Sequence, residues 1–170
     1  MKTKQSHDNK IYEVLEEIVN RMKLSTKGRY GMRAMLDLAL YGQEQPVSIR
    51  SISQRQDISE SYLEQLIAKL KRAGLVESVR GAGGGYQLTK PASEISVGEV
   101  LYVLEGNLNP VDCNEISSNG GCKHKEHCLS KYAWQKIYQS IQDTVDHMYL
   151  SELLQQQESD HKEIENQEVK

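Results

Sequence analysis

The chain has 170 residues, a formal net charge of −3, 38% hydrophobic residues and three cysteines. This length suits one domain or a small domain with an appendage, and no apolar run approaches the roughly 18 residues of a membrane span. Residues 1–21 are polar and charged, without the apolar centre of a secretory signal. We therefore expect a cytoplasmic protein without a membrane partner, in which structural disulfides are uncommon.

The charge is distributed unevenly between the two halves of the chain. Residues 22–90 contain 11 Lys and Arg against 6 Asp and Glu, whereas residues 91–170 contain 6 against 14. A basic surface attracts polyanions, so nucleic acid is a candidate partner of the first half only. A solvated surface would show the same excess, and charge alone leaves both interpretations open.

Apolar side chains at helical spacing, with caps and breaks between them, predict a series of helices in the first half. The second helix has Ser25 or Thr26 as its cap, the fourth has Ser59 or Ser61, and a glycine follows the end of each. The predicted helices cover residues 10–21, 25–41, 48–55 and, after a turn at 57–59, a stretch that ends at Ala73.

Two short strands are predicted after the fourth helix, over residues 75–79 and 86–89, with a glycine-rich connection at 80–85. The order of helix, short helix, turn, helix and hairpin is that of a winged helix-turn-helix. We therefore predict a mainly α fold with a small β-hairpin wing, of the kind that binds double-stranded DNA.

The fourth helix is the predicted recognition helix. Its apolar residues recur at helical spacing and predict one buried face, which leaves a polar face of Ser, Glu, Gln and Arg for base edges and phosphates. Tyr62 starts this helix, where a hydroxyl can reach a phosphate, and Arg80 stands at the hairpin tip, where a cation can enter a minor groove. An ordinary amphipathic helix and a solvated loop would show the same residue types. The candidate DNA-contacting residues are Ser61, Tyr62, Glu64, Gln65, Arg72 and Arg80.

In the second half, Ser96 and Glu99 predict a capping box that opens a helix ending near Leu104. A loop rich in Asn, Ser, Gly and Cys follows over residues 107–127, and a long helix is predicted from Leu129. Beyond residue 155 the chain is polar and acidic, so we expect a disordered tail. The apolar stripe of the long helix comprises Trp134, Ile137, Ile141, Val145 and Met148, extended by Leu150, Leu153 and Leu154.

All three cysteines lie close together around this loop. Eight residues separate Cys113 from Cys122 and five separate Cys122 from Cys128, which is wider than the paired spacing of a zinc ribbon. Loose spacing around glycines suits an iron–sulfur cluster, which prefers thiolate ligands. Incidental loop cysteines are the alternative interpretation. Three thiolates leave a fourth ligand open, and the nearby candidates are His124, His127 and, as a poor donor that must first lose a proton, Lys131.

Five short motifs of the first half are distinctive: Met22–Tyr30, Ser61–Gln65, Gly74–Val76, Val79–Gly81 and Gly83–Tyr86. They resemble those of the IscR-type regulators, a winged-helix family that also includes the nitric-oxide sensor NsrR and the cysteine-metabolism repressor CymR. The resemblance covers about residues 22–154 and implies a homodimer with a long dimerisation helix. It also implies DNA contacts for Ser61, Tyr62, Glu64, Gln65 and Arg80, with Glu64 making site choice depend on the cluster.

The same resemblance implies that Cys113, Cys122 and Cys128 hold a cluster, with [2Fe–2S] favoured over [4Fe–4S]. The chain departs from the family pattern because Lys131 stands where the family places a histidine ligand. His124, His127 or a group of the partner protomer are then the candidates for the fourth ligand.

The predicted function is that of a cluster-sensing transcription regulator, a repressor and not an enzyme, that acts on genes of iron–sulfur cluster assembly and cysteine desulfurase. One alternative is a CymR-like repressor of cysteine and sulfur metabolism without a cluster, controlled by a partner enzyme of cysteine biosynthesis. Others are an NsrR-like nitric-oxide sensor and a cluster carrier or redox protein. The predicted divisions are 1–21, an extension or misassigned start; 22–91, the winged helix-turn-helix; 92–128, a connecting helix and cluster-binding loop; 129–154, the dimerisation helix; and 155–170, the acidic tail.

Overall fold

The computed structural model of the chain describes residues 24–81, 83–111, 127–157 and 159. The predicted helix over residues 10–21, Cys113, Cys122, His124 and most of the predicted tail lie outside these residues. None of the helices in the described part is long and apolar enough to cross a membrane. In chain order the helices are α1 (Thr26–Tyr41), α2 (Ile49–Gln56), α3 (Glu60–Arg72), α4 (Val97–Glu105), α5 (Lys131–Asp146) and α6 (150–157).

The two strands, β1 (Val76–Val79) and β2 (Gly85–Leu88), form an antiparallel hairpin between α3 and α4. A third stretch of backbone joins this hairpin, because Val47 and Tyr86 exchange two hydrogen bonds of 2.8 Å each. A short 3₁₀ turn, Ala92–Glu94, leads from the hairpin to α4. The predicted winged helix-turn-helix is therefore confirmed, with its wing anchored to the segment that precedes α2.

The helix boundaries follow local capping chemistry. Ser25 and Ser48 cap α1 and α2 through their side chains, and Ser59 rather than Ser61 occupies the cap position of α3. Gly74 follows α3 with a φ of 76°, a left-handed conformation that glycine adopts readily. The Gly74 amide donates a hydrogen bond to the carbonyl of Lys71, and the Leu75 amide donates one to the carbonyl of Leu70, each at 3.0 Å. This pair of bonds is a Schellman motif, which ends the helix without orphaned carbonyls.

One hydrophobic core contains residues from each of the helices α1, α2, α3 and α4, from strand β1, and Leu150. The apolar stripe that the sequence predicts for the recognition helix is at the centre of this core, with exposed fractions of 0–2%. Burial of such a stripe supplies most of the stability of a short helix in a protein. The stripe residues are Leu63, Leu66, Ile67 and Leu70.

The prediction of one uninterrupted helix over residues 129–154 is wrong. Helix α5 ends at Asp146, and the chain leaves helical geometry at 147–149 before α6 begins. There the backbone pairs with the segment at the start of α4. The Val97 amide donates a hydrogen bond to the Met148 carbonyl at 2.8 Å, and the Leu150 amide donates one to the Ile95 carbonyl at 3.1 Å. Leu150 is fully buried in the winged-helix core, and this burial outweighs continued helical geometry. Helix α6 then continues past the predicted start of the tail at residue 155.

Candidate DNA-binding surface and cysteine segment

The recognition helix α3 is held against α1 by the turn that precedes it. Asp57 ends α2 in the left-handed conformation, with φ 51° and ψ 52°, and Ile58 inserts into the core one residue later. The chain thereby turns from α2 into α3 within three residues, and the outer face of α3 is exposed. The predicted reading residues on this exposed face are Ser61, Glu64, Gln65 and Arg72.

Tyr62 differs from these neighbours because it is half-buried. Its ring lies edge-on to Tyr30 of α1, with 6.0 Å between the ring centroids and 87° between the planes. Such a pair is worth about 1 kcal/mol beyond the area that it buries. Tyr62 therefore positions the start of α3 on α1, and a contact of its hydroxyl with phosphate stays a prediction.

Arg80 follows β1 and is exposed at the hairpin tip, as the sequence predicts. The hairpin is also tied to the end of α3, because Lys71 Nζ donates a hydrogen bond of 2.5 Å to Ser78 Oγ. Arg72 bonds its own helix, with Nε donating to the carbonyl of Ala68 at 3.2 Å. Basic side chains are therefore exposed both at the end of α3 and on the wing, which the Lys71–Ser78 bond holds together.

A partly buried ion pair that was not predicted from the sequence fixes α2 to α1. Asp37 has a fully buried side chain, and its carboxylate accepts hydrogen bonds from Arg55 Nη2 at 2.7 Å and Arg55 Nε at 2.9 Å. The Asp37 carboxylate raises the pKa of Arg55 through this hydrogen bond. Gln56 donates a third bond at 2.9 Å, and Arg33 donates to Gln56 in turn. The signal was present in the sequence: a charged residue interrupts the apolar stripe of α1.

Cys128 is the only one of the three cysteines within the described residues. It is half-buried just before α5, with its Sγ 3.1 Å from Ser130 Oγ. The hydrogen bond from this hydroxyl lowers the pKa of the thiol, and the backbone amide of Lys131 acts in the same direction. A lower pKa favours thiolate, the form that binds metals, so the donor chemistry at Cys128 fits an iron–sulfur ligand.

The remaining candidate ligands are only partly described. His127 is exposed in the turn before Cys128, and the ammonium of Lys131 lies 5.2 Å from the ring centroid of Tyr132. Within the described residues no group of three or more His, Cys, Asp and Glu side chains is arranged to hold a metal ion. The described part of the chain therefore contains all the predicted DNA-reading residues, but only Cys128 and His127 of the predicted cluster ligands.

Helix α5 follows Cys128, and the described residues cover its apolar stripe only in part. None of its 16 residues is buried, and Ile137 is 40% exposed. Ile137, Ile141 and Val145 line a shallow apolar groove along the helix, bordered by Ser140 and Thr144. A stripe of this kind on a folded chain marks a surface for a protein partner.

Comparison with known proteins gives consistent matches over most of the chain. The family model of Rrf2, described as iron-dependent transcriptional regulator, matches residues 24–156. The transcriptional regulator IscR of Serratia proteamaculans is 44% identical over 137 residues, which cover 81% of this chain and 82% of that protein. The solved structure of T. potens IscR is 43% identical, with a TM-score of 0.64, and covers 79% of this chain and 87% of its own. The solved structure of CymR, the global cysteine regulator of B. subtilis, is 39% identical, with a TM-score of 0.63, and covers 77% of this chain and 95% of its own.

Proposed function

Because this chain belongs to the Rrf2 family of iron-dependent transcriptional regulators, we propose that it senses an iron–sulfur cluster and binds operator DNA as a homodimer. Its relatives and its fold are those of transcription regulators and not of enzymes, and the resemblance to IscR-type proteins is confirmed. The alternative of a cluster carrier loses its support on the same grounds. The proposed ligands are Cys113, Cys122 and Cys128, with His124, His127 or a group of the partner protomer as the fourth.

The position of Cys128 carries the proposal. A thiol with a lowered pKa stands immediately before the helix whose apolar stripe is only partly covered by the described residues. When bound, a [2Fe–2S] cluster would cross-link the cysteine thiolates and respond to oxidants and to iron supply. A change in the segment that ends at Cys128 would therefore act directly on the start of α5 and on its packing against a partner.

The partly covered stripe of α5 supports a homodimer. Pairing two copies of the chain through this helix would give a twofold-symmetric assembly with two copies of α3, as reading of neighbouring major grooves requires. Glu64 and Gln65 would then face base edges, where Gln can bond adenine and Glu can accept from the cytosine amino group. Arg72 and Arg80 would bind phosphates or the adjoining minor groove. We propose repression of genes for iron–sulfur cluster assembly and cysteine desulfurase as the output.

Anaerobic purification followed by visible absorption, EPR, and iron and sulfide assays tests the cluster. We expect a coloured protein with iron and sulfide in equal amounts, and a colourless variant when all three cysteines are replaced by serine. Ser130→Ala is a matched control, since it removes the hydroxyl beside Cys128 but no sulfur. A wild-type protein that stays colourless after reconstitution contradicts the proposal.

A second candidate function is repression of cysteine and sulfur metabolism without a cluster, under the control of a partner enzyme of cysteine biosynthesis. The observation that favours it is the similarity to CymR, which nearly equals that to T. potens IscR in identity and in TM-score. Operator binding that is unaffected by the triple serine replacement would favour this second function over the first.

A further inference from the structure

Glu105 joins the chain that leads to the cysteines to the start of the DNA-binding domain. It is the last residue of α4, eight residues before Cys113, and its Oε1 accepts three hydrogen bonds from the start of α1. The donors are the Ser25 amide at 3.0 Å, the Ser25 hydroxyl at 2.8 Å and the Gly28 amide at 3.0 Å. Amides in the first turn of a helix lack partners within the helix, and their partial positive charge favours a carboxylate.

The side chains at the end of α4 pack directly on the first turns of α1. A Cβ atom at Gly28 would lie 2.3 Å from Glu105 Oε1, and one at Gly31 would lie 2.1 Å from Leu104 Cδ1. Glycine at these two positions therefore leaves room for the Glu105 carboxylate and the Leu104 methyl group, which any larger residue would push aside. A displacement of the end of α4 must therefore either move α1 or break the three hydrogen bonds.

Helix α1 carries the connection onward to the reading surface. Tyr30 lies two residues after Gly28, and its ring contacts Tyr62 of the recognition helix edge to face. Tyr62 is flanked on α3 by Ser61 and by Glu64, both exposed on the predicted reading face. Two contacts and one helix thus separate the Glu105 carboxylate from the side chains proposed to read bases.

We propose that Glu105 is a positioning residue that transmits the state of the cysteine segment to the recognition helix. This inference rests on the proposed function, because it requires a cluster that changes DNA binding. A bound cluster would restrain Cys113 and, through the few residues between Cys113 and Glu105, would hold the end of α4 in one position on α1. Without the cluster the end of α4 is less constrained, α1 shifts relative to α4, and Tyr30 carries the shift to Tyr62. Such a device works because the two states differ in their contacts, which is what coupling between sites requires.

The test compares operator affinity with and without the cluster in three full-length proteins: wild type, Glu105→Ala and Glu99→Ala. The operator duplex is obtained by in vitro selection, and both dissociation constants are measured anaerobically. Glu99 is a matched control, since it also bonds a backbone amide at a helix start, that of Ser96 at 2.9 Å, but within its own helix. We expect the two constants to differ by about tenfold or more in wild type and Glu99→Ala, and by less than about twofold in Glu105→Ala.

Hydrogen exchange gives a readout that does not depend on DNA. We expect the amides of Ser25 and Gly28 to exchange more slowly in the loaded wild-type protein than in the cluster-free protein, and equally fast in both forms of Glu105→Ala. Should Glu105→Ala be too unstable to load, Gly28→Ala decides, because its Cβ would displace the carboxylate while alanine favours the helix. We expect Gly28→Ala to lose the cluster-dependent difference as well.

The outcomes separate the two proposals. A wild-type protein that loads no cluster, or that binds DNA equally well in both states, contradicts the proposed function and with it the role of Glu105. A wild-type protein with a clear difference between states, retained in loaded Glu105→Ala or Gly28→Ala, overturns the role of Glu105 alone. Equal exchange of the Ser25 and Gly28 amides in the two wild-type states overturns that role too.

Discussion

Helices α3 and α5 each carry an apolar stripe, but the two stripes have different surroundings. The four stripe residues of α3 are at most 2% exposed, whereas none of the 16 residues of α5 is buried and Ile137 is 40% exposed. One stripe is the centre of a core formed by the chain itself, and the other is only partly covered by the described residues. Amphipathic periodicity therefore specifies an apolar face without specifying what covers it.

The largest effect is expected from truncating the covered stripe. Leu63→Ala removes a fully buried side chain and leaves a cavity, so we expect the free energy of unfolding to fall by about 3 kcal/mol. Urea denaturation followed by circular dichroism measures this change. Gln65→Ala, two residues away on the exposed face, is the control and should change stability by less than about 0.5 kcal/mol. Equal losses in both variants would contradict the assignment of faces on α3.

The partly covered stripe of α5 is tested by placing a charge on it. Ile137→Glu should convert the proposed dimer to a monomer without unfolding the winged helix, because Ile137 lies outside the core of the single chain. A monomer engages one half-site instead of two, so we expect operator affinity to fall by about 100-fold. Light scattering measures the mass and fluorescence anisotropy the affinity. Gln135→Glu adds the same charge on the same helix at an exposed position, and it should alter neither the mass of the assembly nor the operator affinity.

The exposed face of α3 should matter for binding and not for folding. Gln65→Ala removes a side chain that can bond a base edge, and we expect operator affinity to fall by about tenfold. Anisotropy titrations with the selected operator and with a scrambled duplex give the measurement. The loss should be confined to the selected operator. A similar loss on both duplexes would show that Gln65 contributes to general affinity and not to sequence recognition.

A smaller, pH-dependent effect is expected where the wing joins α4. Burial alone would raise the pKa of Glu99, but the hydrogen bonds from Lys90 and from the Ser96 amide outweigh it and lower that pKa. The charged form therefore stabilises the fold above the ordinary carboxyl pKa, and the contribution disappears as the pH falls through the lowered value. We expect Glu99→Gln to cost less than about 1 kcal/mol at pH 7.

Denaturation at pH 7 and in acid checks the sign of this effect. The stability difference between wild type and Glu99→Gln should vanish once the carboxyl is protonated. Glu44→Gln changes an exposed glutamate between α1 and α2 and serves as the control. Its stability should differ little from that of the wild type at either pH. A difference for Glu99→Gln that persists in acid would mean that the side chain acts through packing and not through charge.

Local chemistry made much of the first half predictable. Ser25 and Ser48 cap the starts of α1 and α2, and Gly74 follows the end of α3, as capping rules require. The spacing of the α3 stripe identified the buried face of that helix. These features depend on residues within a few positions of one another, so the sequence shows them directly. The clustering of three cysteines is likewise visible without a structure, although the arrangement of Cys113 and Cys122 stays a prediction.

Local sequence patterns are enough to predict the winged fold, the order of its elements and the polar face of the recognition helix. The end of α5, the partner of Asp37 and the groups that the Glu105 carboxylate binds depend instead on long-range packing. The partners are far apart along the chain, because Glu105 bonds residues about 80 positions earlier and Leu150 fills a core built mostly by the first 104 residues. A periodic pattern or a lone charge shows that a side chain needs a partner, but the identity of that partner follows only from packing.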